Sequence, residues 1–325
     1  MLLVLLALGR ERGLELYVAN VGRRYDRALV DEIRDVAHRM VLPNGRALWD
    51  LRSLAALVWT IIRHDIDVVH THLAGAEVVG GWAAWLTRRP AVATLHSVYE
   101  GRAGLRPARR RLADFATLRL AHRLIAVSHA VKASYVEGLA LSSDRLTVLT
   151  NVVRGPLVPP GFDPARKRAA LGVADRLVAC TVSRLTENRD HATLLRALPA
   201  VRERCPALVV LVVGDGPLRD DLAQLSRALS LDDTVRFLGT RYDAIEIMAA
   251  SDVFLQPTLL EGLPMGVLEA MTVGVPVAAS RVPGLEELID HDLSGLLVAP
   301  RDVAGWERTL LRLLGSSALR LEMGE

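Results

Sequence analysis

Two carboxylates, Glu261 and Glu269, stand eight positions apart in the stretch EGLPMGVLEA, around a turn that holds Gly262, Pro264 and Gly266. Pro264 suits the first position of a helix, and the free N–H groups and positive dipole end of a helix start can hold an anion. Helical side chains lean toward the N-terminus, so Glu269 can reach back toward that start, and Glu261 sits just before it. An ionised carboxylate only accepts hydrogen bonds. Two acceptors beside an anion-binding turn suit a ligand that carries both phosphates and hydroxyls, such as those of ribose or hexose. The same spacing also fits two exposed acids at a helix start.

Cations that could meet such a ligand lie in VSRLTENRDH, residues 182–191, where Arg184 and Arg189 follow a predicted strand at its carboxyl edge. Guanidinium groups there can bind a diphosphate bidentately, and a solvated loop is the alternative. VVGDGPLRDDL lacks the G-x-G-x-x-G spacing and reads mainly as a turn and helix start, so a nicotinamide dinucleotide site is not supported. His70 and His72 share one face of a predicted strand, which permits chelation, but no third ligand of matching spacing accompanies them. His96 ends a strand and opens a loop, a place from which it could polarise a substrate hydroxyl or serve as a structural histidine. The arginine run of Arg102, Arg106, Arg109, Arg110 and Arg111 fits either acidic lipid headgroups or the solvated face of a helix start. No G-x-S-x-G elbow and no Walker loop occurs.

These residues need a scaffold, and the apolar pattern predicts one. In the front half, strands are expected near Leu14–Ala19, Val68–Thr71, Val92–Leu95, Leu124–Val127 and Leu146–Leu149. Helices are expected near Leu48–Arg63, Ala76–Thr87, Pro107–Leu120 and His129–Glu137, the last with Ser128 as N-cap. In the back half, strands near Leu177–Val182, Leu208–Val213, Val235–Phe237, Val253–Leu255, Val275–Ala278 and Gly295–Val298 alternate with helices. Those helices fall near His191–Arg204, Leu218–Leu229, Ala244–Ala249, Met265–Thr272, Leu285–Ile289 and Val303–Leu314. Continuous apolar strands, each followed by a helix, predict parallel sheets covered on both faces. The proline-rich stretch RGPLVPPGFDPARK separates the halves, which predicts two doubly wound α/β domains facing a cleft.

Bulk properties agree. The 325 residues, 51% hydrophobic, suffice for two cores. Residues 1–160 carry 22 Lys/Arg against 14 Asp/Glu, and residues 161–325 carry 18 against 23. A basic front half fits an anionic substrate or membrane surface, or merely a differently solvated face. Cys180 and Cys205 suggest a reducing compartment and no disulfide framework. The start, MLLVLLALG, is too short to span a membrane and lacks a positive n-region and a cleavage site. It reads as a buried helix ended by a cap at Gly13.

Together these motifs resemble glycosyltransferase family 4, the retaining, nucleotide-sugar-dependent enzymes of GT-B fold. The resemblance covers nearly the whole chain, from DVVHTHLAGAE, AVATLHSVYEG, AHRLIAVSHAVKASY and LTVLTN in front to VSRLTENRDHATLLRAL and the E-x7-E stretch behind. It implies that Glu269 binds the ribose of the nucleotide. Glu261 would bind hydroxyls of the donor sugar near the developing oxocarbenium charge, and Arg184 would hold the diphosphate and stabilise the leaving group. Arg189 and the turn of Gly262, Leu263, Pro264 and Met265, with its main-chain N–H groups, would complete the donor site. His96 matches the front-domain histidine that meets the donor sugar.

The chain departs from the family pattern where Arg189 and Asp190 replace the usual Lys and Gly, which brings an acid close to the diphosphate. The family's first strand and glycine-rich loop, and its final helices, find no counterpart, so the resemblance implies trimming at both ends. The implied organisation is an acceptor-side Rossmann-like domain over 1–155, a linker over 156–166 and a nucleotide-sugar domain over 167–325. The implied function is transfer of a sugar from a UDP- or GDP-linked donor to a glycan or lipid-linked hydroxyl with retention, in cell-surface polysaccharide or glycolipid synthesis. No cofactor, metal or nucleic acid is expected. The expected location is the cytoplasm, with peripheral contact on the inner face of the membrane. A nucleotide-sugar-binding remnant with little transfer activity is the alternative.

Overall fold

In the computed structural model, which describes residues 2–21, 27–41, 51–99, 114, 118–153 and 155–325, the apolar runs become strands that pair only in parallel. Two units form, residues 1–152 and 153–325. The division falls just before the proline-rich stretch. Pro164, inside that stretch, begins a helix of the second unit, Pro164–Ala170, which Asp163 caps by accepting from the Ala165 N–H at 2.9 Å.

In unit 1, β1 (Tyr17–Ala19) pairs with β2 (Arg39–Val41). A second sheet runs in the order β3 (Val69–His72), β4 (Ala91–Leu95), β5 (Arg123–Ala126) and β6 (Leu146–Val148). Helices Leu51–Arg63, Ala74–Leu86 and His129–Leu139 accompany it. Ser128 caps the last of these, its hydroxyl accepting from the Val131 N–H at 3.1 Å. The opening helix, Leu2–Glu11, ends before Gly13, whose φ of +75° lets the chain turn. It is not buried all round: Leu6 is 5% exposed, but Leu5 and Leu8 are 40% and 36% exposed, so only one face packs. Strand β2 and the helix Arg27–Val36 were not expected from the sequence: three residues give no period, whereas the helix is amphipathic, with Val30 and Ile33 buried among charged neighbours, and its period was overlooked. Most of the predicted helix 107–120 and the whole arginine run 102–111 lie outside the described residues.

Unit 2 holds one sheet in the order β12-β11-β10-β7-β8-β9, with β7 at Leu177–Val182, β8 at Leu208–Val213, β9 at Val235–Gly239, β10 at Val253–Gln256, β11 at Val277–Ser280 and β12 at Gly295–Val298. Alternate side chains feed two cores. Ala179, Val210 and Val212 face one that includes the fully buried Trp306, while Cys180, Val209 and Leu211 face one that includes Phe254 and Ile247. Several boundaries moved by one to three residues, two of them at prolines. Val275 donates its N–H to Ala270 at the end of a helix and Pro276 has none to give, so β11 starts at Val277 rather than Val275. Pro283 opens its short helix earlier than the predicted Leu285.

Helix Pro164–Ala170 is pinned by Lys167, whose Nζ lies 2.6 Å from Asp243 and 2.7 Å from Glu246. The guanidinium of Arg241, and then Lys167, hold the Asp243 carboxyl well below the usual carboxylate range. A depressed carboxylate contributes stability above its unfolded value and loses it as pH falls through the folded one. We therefore expect Lys167→Met to destabilise unit 2 by roughly 1–2 kcal/mol at neutral pH. The gap to wild type should narrow as pH falls below about 4, where Asp243 of the unfolded chain takes up its proton while the folded carboxylate still resists it. Scanning calorimetry across that range checks it.

Candidate active site

In unit 2 the strand order reverses at β7: β8 and β9 continue on one side, and β10, β11 and β12 lie on the other. Open parallel sheets bind ligands outside the carboxyl ends of the strands at such a switch point. The loops that leave β7 and β10 there, residues 183–190 and 257–264, carry Arg184, Arg189 and Glu261.

Backbone bonds tie these loops together. The carbonyl of Asn188 accepts from the Leu259 N–H at 2.8 Å and from Thr258 Oγ1 at 2.9 Å. The Thr258 N–H donates to Ser280 Oγ at 2.9 Å, at the end of β11. On the other flank the Leu185 N–H donates to the Asp215 carbonyl at 3.0 Å. Gly214 is required in that contact, because a Cβ there would run into the carbonyl of Ser183. The turn VVGDGPL thus backs the Arg184 loop and precedes the helix Arg219–Ala228.

Glu261 is 8% exposed. A buried charge has to be paired and hydrogen-bonded. Gln256, at the end of β10 and 2% exposed, donates from Nε2 to Glu261 Oε1 at 2.9 Å, and Arg189 forms an ion pair with the same oxygen through Nη1. The amide is oriented by this charge, which leaves Gln256 Oε1 buried without a hydrogen-bond partner. Beneath the loop, the carbonyls of Glu261 and Gly262 lie against Gly284, where any Cβ would collide with them. Gly262, Leu263 and Pro264 are buried, and Met265 opens the helix Met265–Thr272. Pro264 stands one position earlier than its sequence suggested, as the N-cap, and no side chain caps this end.

The two arginines differ. Arg184 is exposed, whereas burial and then the charge of Arg184 lower the pKa of Arg189. Asp190, expected to bring an acid toward a diphosphate, turns one oxygen to its own helix: Thr193 Oγ1 donates to its Oδ1 at 2.8 Å, while its Oδ2 is buried without a partner. Its φ of +42° is left-handed, a conformation that Asp tolerates better than most residues, which accounts for Asp at a place where Gly is usual. His191 follows, buried, with Nε2 3.1 Å from Ser183 Oγ, and its pKa is lowered to about 4 by burial and then by Arg189. Glu269 is half-buried within the helix Met265–Thr272, and burial raises its pKa.

In unit 1, His70 and His72 do share a face, with ring centroids 4.3 Å apart. Their companions are Thr94 and His96: His70 Nε2 lies 2.8 Å from Thr94 Oγ1, and His72 Nδ1 lies 3.0 Å from His96 Nε2. Among the described residues, no group of three or more His, Cys, Asp or Glu is placed to hold a metal ion.

Comparison with known proteins resolves the kinship. Residues 4–154 match Glycosyltransferase Family 4, and residues 176–316 match Glycosyl transferases group 1. A D-inositol 3-phosphate glycosyltransferase of Actinosynnema mirum is 32% identical over 79% of this chain and 67% of its own length. The chain belongs to glycosyltransferase family 4. A UDP-Gal:alpha-D-GlcNAc-diphosphoundecaprenol alpha-1,3-galactosyltransferase of Escherichia coli is 28% identical over 90% of this chain and 79% of its own length. The crystal structure of Anabaena HepE with UDP and glucose superposes with a TM-score of 0.86 at 24% identity, covering 99% of this chain and 88% of HepE, which fixes the GT-B fold.

In this glycosyltransferase the sequence reading named Glu261 and Arg189 but missed what holds them. Gln256 reads from the sequence only as the end of a strand, and nothing in the sequence marks Gly284. Only the pairing of β10 with β7 and β11 brings them under the site. We expect Gly284→Ala to displace the 261–264 loop and lower sugar transfer more than tenfold, on the order of what a small misplacement of a reacting group costs. Kinetics, with thermal melts to show an intact fold, check it.

Proposed function

We propose that the chain transfers a hexosyl group from a UDP-linked donor to a hydroxyl of a glycan or lipid-linked acceptor, with retention at the anomeric carbon. The observation that carries this reading is Glu261, a buried carboxylate gripped by Gln256 and Arg189 at the switch point, with the exposed Arg184 on the adjoining loop. As the bond to the diphosphate breaks, the sugar gains positive charge and the leaving group gains negative charge. Glu261 faces the first need. Arg184, the remaining N–H groups of Arg189 and the uncapped helix start near Leu263 to Met265 answer the second, and we assign this work to them without a metal. Glu269 receives the ribose hydroxyls, and His96 a hydroxyl of the donor sugar.

The choice of UDP is supported by the UDP-Gal named for the Escherichia coli relative and by the UDP-glucose complex of HepE. The diphosphoundecaprenol in the former's acceptor supports a lipid-linked acceptor; from it we extend the proposal to a part in cell-surface polymer synthesis on the cytoplasmic side of a membrane. Among the described residues no helix is long and apolar enough to cross a membrane. Peripheral contact is favoured by a unit 1 hollow of about 520 Å³ whose lining includes Trp85, Leu86, Arg88 and Arg89, the first two more than half exposed.

Burial raises the Glu269 pKa, and only the ionised carboxylate accepts from both ribose hydroxyls. UDP binding should therefore weaken as pH falls through a value above the ordinary glutamate range, and Glu269→Gln should bind UDP weakly with no such limb. Calorimetric titration against pH reads both. Glu261→Gln should keep UDP affinity within a few-fold and lower turnover on the order of a hundredfold, because its charge matters most in the transition state. Released UDP over a panel of UDP- and GDP-linked sugars, run with and without a chelator, tests the reading as a whole. Equal turnover in Glu261→Gln, or transfer that needs a divalent ion, would overturn it.

A further inference from the structure

We propose that His72 is the positioning residue for His96: its Nδ1 accepts the Nε2–H of His96, which leaves Nδ1 of His96 as a bare acceptor for a ligand hydroxyl. This rests on the reading that His96 meets the donor sugar.

The arrangement is built by the sheet. β3 and β4 are parallel neighbours, with His72 in register with Thr94, and His96 lies two residues further along the second chain. Side chains two apart on a strand share a face, which brings His70, His72, Thr94 and His96 together. His72 and His96 lie nearly parallel, with centroids 5.3 Å apart and an interplanar angle of 29°, and their nearest nitrogens are 3.0 Å apart. Leu73, directly after His72, has φ 73° and ψ 149°, a conformation rare for any residue but glycine and one that gathers at functional sites.

A nitrogen-to-nitrogen hydrogen bond holds one proton. In a neutral imidazole one nitrogen donates and the other accepts, so the partner of one nitrogen decides the character of the other. If His72 donated, His96 would carry its own proton on Nδ1 and could only donate to a ligand there. If His72 accepts, His96 presents a lone pair, which is what polarising a hydroxyl requires. Accepting needs a neutral His72. Burial first, and then the charges of His70 and His96, lower its pKa to about 4. Burial and His70 also lower that of His96. The cluster therefore stays uncharged near neutral pH, and the tautomer, rather than a charge, carries the information. The pair of histidines that looked like half of a metal site is better explained as one end of this relay.

Nitrogen-15 spectra of histidine-labelled full-length protein test the assignment, since protonated and bare ring nitrogens resonate far apart. Wild type should show His96 protonated at Nε2 and bare at Nδ1. His72→Phe keeps the bulk and removes the acceptor. It should mix the His96 tautomers and lower kcat about tenfold or more, with donor KM within a few-fold, as loss of a tautomer-setting partner does elsewhere. His72→Asn, whose amide oxygen can take the place of Nδ1, should restore most of the turnover. A wild-type His96 protonated at Nδ1, or a His72→Phe protein with unchanged His96 nitrogens and turnover, would overturn the proposal. If His72→Phe does not fold, the wild-type spectrum decides alone. His96→Ala with undiminished transfer would remove the reading beneath it, a result separate from either tautomer outcome.

Discussion

A carboxylate that is only 8% exposed is costly by several kcal/mol unless charge and hydrogen bonds offset its lost hydration, and Glu261 is such a group. Its compensation comes from two different loops of the sheet. Gln256 ends β10, and Arg189 ends the loop after β7, so the two strands must be neighbours before the charge can be buried. The order reversal at β7 and β10 makes them neighbours. The candidate site and the fold are in this sense one constraint, because the strand order that creates a switch point, where open parallel sheets bind ligands, also neutralises the acid placed there.

The surrounding loops follow from that constraint. Asn188, one residue before Arg189, holds the 258–259 backbone through its carbonyl, and Gly284 leaves room for the carbonyls of Glu261 and Gly262 from below. Asp190 takes the left-handed turn that starts the next helix and accepts from Thr193 with one of its two carboxylate oxygens. The substitution of Asp for Gly is thereby structural. The substitution of Arg for Lys at 189 is chemical: a guanidinium has donors to spare after pairing with Glu261, whereas an ammonium offers three from one point.

Unit 2 was largely legible in the sequence, for a physical reason. Strands such as Leu208–Val213 are buried on both faces and read as unbroken apolar runs, and helices such as His191–Arg204 and Val303–Leu314 matched to the residue. Unit 1 was less so. A three-residue strand carries no periodic signal, and the amphipathic helix Arg27–Val36, whose period is clear, was overlooked. Of the candidate site in unit 2, the acids and arginines stood out by type and spacing, as did His96 in unit 1. Gln256, Gly284 and the pairing of His72 with His96 did not, because each depends on a strand neighbour far away in sequence. The bond from Thr193 to Asp190 was not legible either, because the sequence does not show which way a side chain turns once its backbone is left-handed.

In the proposed function Arg189 serves Glu261 first and the diphosphate second, while Arg184 serves the diphosphate. Arg184→Met and Arg189→Met, compared for UDP affinity by calorimetry and for donor turnover by released UDP, separate these roles. The account predicts that Arg184→Met loses about tenfold or more in UDP affinity, as expected for a lost charge-assisted contact. It predicts that Arg189→Met loses more in kcat than in UDP affinity, because the Glu261 carboxylate is no longer held. Arg189→Met that loses UDP affinity with kcat unchanged would contradict it.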